Sequence, residues 1–149
     1  CPNFPFQLTG IPTADALDAA DTLGGLQRIK VPKSGIIHGA KWWDGSSNTT
    51  EIIVHLFKHK VVLAANDAAW ALSDKDALEE FAELDFSTFR TATNNSRSFL
   101  SNLGIPYELD KEELWFGTHV VSTPTYTTPG MPFIQLDILS DYADFKAES

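Results

Sequence analysis

The sequence holds one cysteine and one methionine in 149 residues. With Cys1 as the lone thiol, no intrachain disulfide can form. That excludes the disulfide-stapled class of small secreted domain and fits an intracellular assembly environment. A first-position cysteine also suits a processed lipoprotein, but no signal segment is visible beside it, and the plainer reading is a chain simply numbered from that point. Basic residues are scarce: 11 Lys and Arg against 20 Asp and Glu leave a net charge of −9. The clustered cations that neutralise a phosphate backbone are not there, so no nucleic-acid partner is expected. Apolar runs fall far short of the ~20 residues of a membrane helix, so the chain reads as soluble, with no membrane partner. Walker loops, dinucleotide-binding turns and nucleophile elbows are absent too.

What remains is a globular composition, 43% hydrophobic and 11% aromatic. A single domain of this length buries roughly 70% of the surface of its unfolded chain and needs no staple. Residues 1–22 read as an extended N-terminal arm, with Pro2, Pro5 and Pro12 interrupting any period and Phe4, Phe6, Leu8 and Ile11 free to pack on a neighbouring subunit or on the chain's own domain. From Gly25 the period changes to two. "LQRIKV" and "GIIHGAKWW" read as consecutive strands, "DGSSN" as a hairpin loop, and "TEIIVHLF" as a half-buried strand with Ile52, Val54 and Leu56 on one face. "LSDKDALEEF" reads as a short helix with Ser73 as N-cap and Asp74 and Asp76 in its first turn. "ELWFGTHVVS" and "PFIQLDILSD" read as the last two strands, joined as a hairpin by a Thr- and Pro-rich turn, with Ile134, Leu136 and Ile138 facing a core. Seven or eight strands, one short helix and no βαβ rhythm define an all-β chain: a single antiparallel β-sandwich or jelly-roll-like domain over residues 23–149.

Chemistry is sparse. His55 and His59 have the spacing of a helical metal pair but lie at a strand end, where that spacing separates the rings, so no metal and no cofactor is expected. The paired carboxylates, Asp74 with Asp76 and Glu79 with Glu80, read as a solvated helix face. No catalytic residue is assigned and no enzymatic activity is expected. The strongest binding feature is "AKWWDGSSNTTE". Adjacent Trp42 and Trp43 must face opposite sides of a strand, so one can fill the core, and the other is either covered by the arm or a subunit neighbour or left exposed to stack on a sugar or anchor an interface. Tyr126, in the Thr- and Pro-rich turn, is the remaining interface candidate.

The ordered features together resemble a group of small tailed-bacteriophage virion proteins. The series runs from "DTLGGLQRI" through "SGIIHGAKWWD", "TEIIVHLF", "LSDKDALEEF" and "NLGIPYEL" to "LWFGTHVVSTPTYTTPGMPFIQLDILSD". The likeness spans Asp21 to Tyr142 and lies in the order of the motifs. The segment before Asp21 and the run Lys58-His59-Lys60 depart from the pattern. The resemblance implies a non-enzymatic decoration, or cement, protein on the capsid exterior, made in the host cytoplasm. Its partners would be the major capsid protein and itself, as a homo-oligomer of the trimeric kind. The alternative is a carbohydrate- or receptor-binding module of a phage tail or baseplate, using Trp42 or Trp43.

Overall fold

A computed structural model describes residues 3–9, 11, 15–126 and 132–140. Along the chain lie β1 (Asn3–Gln7), β2 (Asp15–Ala16), β3 (Gln27–Ile29), β4 (Ser34–Asp44), β5 (Ile52–Phe57), α1 (Asp74–Ala77), β6 (Glu80–Phe86), β7 (Arg90–Thr91), β8 (Ser96–Leu100), β9 (Ile105–Glu108), β10 (Leu114–Val120), β11 (Thr125–Tyr126) and β12 (Phe133–Ser140). A six-stranded sheet has the order β1-β12-β4-β8-β7, with β9 also on β4; a four-stranded sheet has the order β3-β10-β5-β6; β2 and β11 form a ribbon. Both large sheets are antiparallel, so the all-β, sandwich-like fold expected from the periodicity is the one observed.

The alternation in each strand dictates what the sheets bury. Ile52, Val54 and Leu56 of β5 and Ile134, Leu136 and Ile138 of β12 all point into one core. Trp42 is fully buried there, with its ring 5.8 Å from that of Phe86 across the sandwich. On β4 the phase changes once. Asp137 pairs with Gly39 and Ile138 with Ile37, a bulge at His38 that turns both Ile37 and Ala40 inward. The helix forms where the cap residues predict it: Ser73 Oγ accepts a 3.2 Å hydrogen bond from the Asp76 N–H.

Two expectations are corrected. The described part of residues 1–22 belongs to the domain and is not an arm. β1 pairs with β12 from Asn3↔Asp137 to Gln7↔Phe133. Phe4, Leu8, Ile11 and Leu17 are buried in the core, and Phe6 packs edge-on against Phe116 at 5.7 Å. Phe4, Phe6 and Leu8 are themselves spaced by two. Pro5 hides that period in the sequence but is tolerated because β1 is an edge strand. The second correction concerns connectivity. β3 and β4, β4 and β5, and β10 and β12 were expected as neighbours, yet each pair is split between the two sheets. Alternation records which face is buried and not which strand lies alongside, and the two sheets bury toward the same core. The turn between β11 and β12 therefore links different sheets; its residues 127–131 lie outside the described part of the chain.

Replacing Phe4 with Ala is expected to lower the stability of the whole domain by ~3–5 kcal/mol, and Leu136→Ala by ~2–5 kcal/mol, as measured by urea denaturation. Native stability in the Phe4 variant would mean that this segment does not contribute to the core.

Candidate functional site

Of the seven residues assigned to an interface from the sequence, Phe4, Leu8, Ile11, Trp42 and Tyr126 are buried in the chain's own core. They hold the sandwich together and offer nothing to a partner, which corrects that assignment. Tyr126 is drawn inward because β11 pairs with β2 instead of projecting as a hairpin tip. Phe6 is half-buried on the core side, against Phe116. Trp43 behaves differently. It lies half-buried on the outer face of the six-stranded sheet, as its position next to the inward Trp42 requires.

The strand registers place other groups around it. One row across the sheet reads Gln7, Phe133, Trp43, Arg97, Arg90; the next reads Pro5, Gln135, Lys41, Phe99. Phe133 meets Trp43 edge-on with ring centroids 5.5 Å apart. Phe99 is 58% exposed, and the Lys41 Nζ sits 5.7 Å from its ring centroid. Arg90 and Arg97 face each other directly, which repels, and among the described residues neither they nor Lys41 form an ion pair. A groove of about 270 Å³ is lined by Pro5, Lys41, Trp43, Phe133, Ile134 and Gln135. Beside it, Lys41, Thr88, Arg90, Arg97 and Phe99 line an open hollow of about 510 Å³. The third row carries Asp137 opposite Gly39, and past the bulge a fourth carries Leu139, Ile36 and Pro106, with Leu139 47% and Ile36 41% exposed.

The sheet edges, by contrast, are poor templates for an added strand. β1 carries Pro5, β7 and β3 have two and three residues, and β6 carries Glu80, Glu83 and Asp85.

The outer face of the four-stranded sheet is covered. Residues 58–73 fold across it and are tied to the segment before β3, where Thr22 N–H donates to Ala68 O at 2.8 Å and Trp70 N–H to Ala20 O at 2.9 Å. Under this cover His55 of β5 is stacked on Trp70, ring centroids 4.3 Å apart, and its Nε2 lies 2.8 Å from Nδ1 of His119 on β10. Its Nδ1 is hydrogen-bonded to Glu80 and lies 3.4 Å from Glu83 Oε1. Burial, reinforced by the neighbouring His55, pushes the His119 imidazole below its ordinary value. His59 stands apart: its two nitrogens contact Glu79 and Asp110 at 2.7 and 2.8 Å, and those hydrogen bonds, Asp110's first, raise its pKa. The sequence gives no local signal of the His55 group, because its members come from three strands. The outward rows were half legible, since "KWW" and "SRSF" each alternate, but their adjacency comes from the register.

No family model, no curated protein and no solved structure matches the chain.

Asp44, the residue after Trp43, caps the turn that closes β4, and its Oδ1 accepts a 2.7 Å hydrogen bond from the Ser46 N–H. Burial pushes its carboxyl up to about 6, outweighing the hydrogen bonds from Ser46 and Asn48 that lower it. The folded state then holds a proton that the unfolded state has released, so stability falls as pH rises from 3.8 to about 6 and stays reduced above that. Asp44→Asn keeps an acceptor for Ser46 and removes the charge. Urea denaturation should show the variant gaining on the wild type across that window, by up to ~3 kcal/mol for a shift of this size. Parallel pH curves for the two proteins would contradict this assignment.

Proposed function

We propose that the chain is a non-enzymatic structural protein of a tailed-bacteriophage virion: a capsid decoration protein held on the shell through the outer face of its six-stranded sheet. The virion setting follows from the ordered sequence resemblance. One structural observation supports the docking role. Trp43, Phe133 and Phe99 are interleaved with Lys41, Arg97 and Arg90 on an open sheet face, and the cations have no acidic partner among the described residues. Trp and Arg are the residues that most often dominate binding energy at interfaces, and flat sheet faces present them without loss of loop entropy. The strip is cationic on a chain of net charge −9, so it complements an acidic surface on the major capsid protein or on another copy of this chain. A copy docking an acidic patch on the strip makes a heterologous contact, and such contacts form a ring where the rotation between copies closes, the trimer being the form the resemblance implies.

A second reading rests on the same rings. Trp43 and Phe133, with Lys41 and Gln135, line a groove that combines stacking surfaces with hydrogen-bonding groups. That is the composition of a site for an acidic sugar, and it supports a carbohydrate- or receptor-binding role on a phage tail or baseplate.

The test uses the wild-type chain and a Trp43→Ala/Phe99→Ala double variant. Both substitutions lie on the outer face, so the fold should change little. The wild type is expected to co-sediment with purified virion shells and the double variant to stay in the supernatant with an unchanged melting temperature. Equal co-sedimentation of the two would remove this face from the interface. Failure of the wild type to sediment, with glycan-array binding abolished in the variant, would replace the decoration reading with the second one.

A further inference from the structure

We propose that His55, Glu80 and Glu83 form a binding site for one divalent cation of the zinc class, on the outer face of the four-stranded sheet and independent of the docking face. Their three donor atoms lie within 4.8 Å of one another. A tetrahedral ion with N and O ligands at ~2.0–2.2 Å holds its donors roughly 3.3 Å apart; the His55 Nδ1 to Glu83 Oε1 separation is 3.4 Å, and Glu80, hydrogen-bonded to the same nitrogen, lies closer and would swing outward as the ion replaces the shared proton. The sheet builds this spacing. His55 and Glu83 are directly opposite in the β5–β6 register, and the register shift after Leu56 brings Glu80 to the same end of the pair.

The donor set has the charge to hold a cation. Two carboxylates converge on Nδ1 of a single imidazole, and that atom carries one proton at most. Glu80 is satisfied by it, and Glu83, 56% exposed, keeps its charge toward solvent at the rim of the enclosed imidazole. A dication on Nδ1 would serve both. Mixed nitrogen and carboxylate ligands select the zinc-like divalent ions over calcium and magnesium, which prefer all-oxygen sites.

The surroundings hold His55 as a ligating histidine is usually held. A metal-bound imidazole donates its other N–H to an acceptor that fixes the ring. His55 Nε2 is 2.8 Å from His119 Nδ1, so with Nδ1 on the metal, Nε2–H donates to His119. Trp70 stacks on the ring with 23° between the planes, and its backbone is pinned by Ala20. Gly117, opposite His55, leaves room for this arrangement: a Cβ there would run into Leu63 and come within 3.0 Å of Trp70. The ring is thus oriented before any ion arrives, and Glu83, 56% exposed, provides the open side for entry. His59 cannot substitute, because its two nitrogens point at different carboxylates, Glu79 and Asp110. The bound ion would clamp β5 to β6 beneath the cover formed by residues 58–73.

The experiment uses the full chain, stripped with EDTA, dialysed and titrated with ZnCl₂ by calorimetry, with the melting temperature read in parallel. A Cys1→Ser/His59→Ala background removes the thiol and the separate histidine as competing ligands. In that background the wild-type cluster is expected to bind one zinc per chain and to melt at a higher temperature with zinc than without it, while calcium has no effect. Glu83→Gln, an exposed substitution that should fold normally by circular dichroism, is expected to weaken zinc binding at least ~10-fold, and Glu80→Gln to do the same. Absence of zinc binding in that background, or equal affinity in both glutamate variants and their parent, would overturn the site.

Discussion

The burial of Trp42 between the two sheets is the contact on which the outer surface depends. Its ring is fully buried against Phe86, and a strand cannot bury one residue without exposing the next. Trp43 is therefore directed outward by the core and not by anything on the surface. Because β12 and β8 flank β4 in fixed register, Phe133 and Arg97 are set on either side of Trp43, with Lys41 and Phe99 one row along. The face we propose for docking is the reverse side of the hydrophobic core, held as rigidly as the core itself. An aromatic–cationic strip on a sheet is pre-organised in a way that the same residues on a loop would not be.

The two sheets use their outer faces differently. That of the six-stranded sheet is open, with aromatic rings and exposed Ile36 and Leu139. That of the four-stranded sheet is roofed by residues 58–73, under which Phe57 and Val61 are buried outside the main core. A small residue at Gly117 lets that cover approach the sheet closely. The roof converts an exposed histidine into an enclosed one, stacked on Trp70 and hydrogen-bonded to His119 and Glu80. Burial of this kind gives an imidazole a single orientation out of solvent, whereas His59 is held at the surface by Glu79 and Asp110.

The strands were legible wherever burial alternates without interruption. β5, β12 and the outward turn of Trp43 beside Trp42 follow from spacing alone, and the Ser73 cap follows from the preference of a helix start for a side-chain acceptor. Three things were not legible, each for a physical reason. Phe4, Phe6 and Leu8 carry a strand period, but Pro5 masks it unless the strand is known to lie at an edge. The division of successive strands between sheets is invisible because both sheets face the same core. The convergence of His55, Glu80, Glu83 and His119 depends on the register of three strands, and the spacing that sequence did offer, from His55 to His59, joins residues whose rings go to different partners.

Hydroxyl-radical footprinting of the free chain and of the same chain on assembled virions tests the central claim most directly, because it reads side-chain exposure residue by residue. Trp43, Phe99 and Phe133 should lose reactivity on assembly, while Leu78 and Val62, exposed far from that face, keep theirs. Unchanged labelling of Trp43 and Phe99 on assembled particles, with protection elsewhere, would contradict the account.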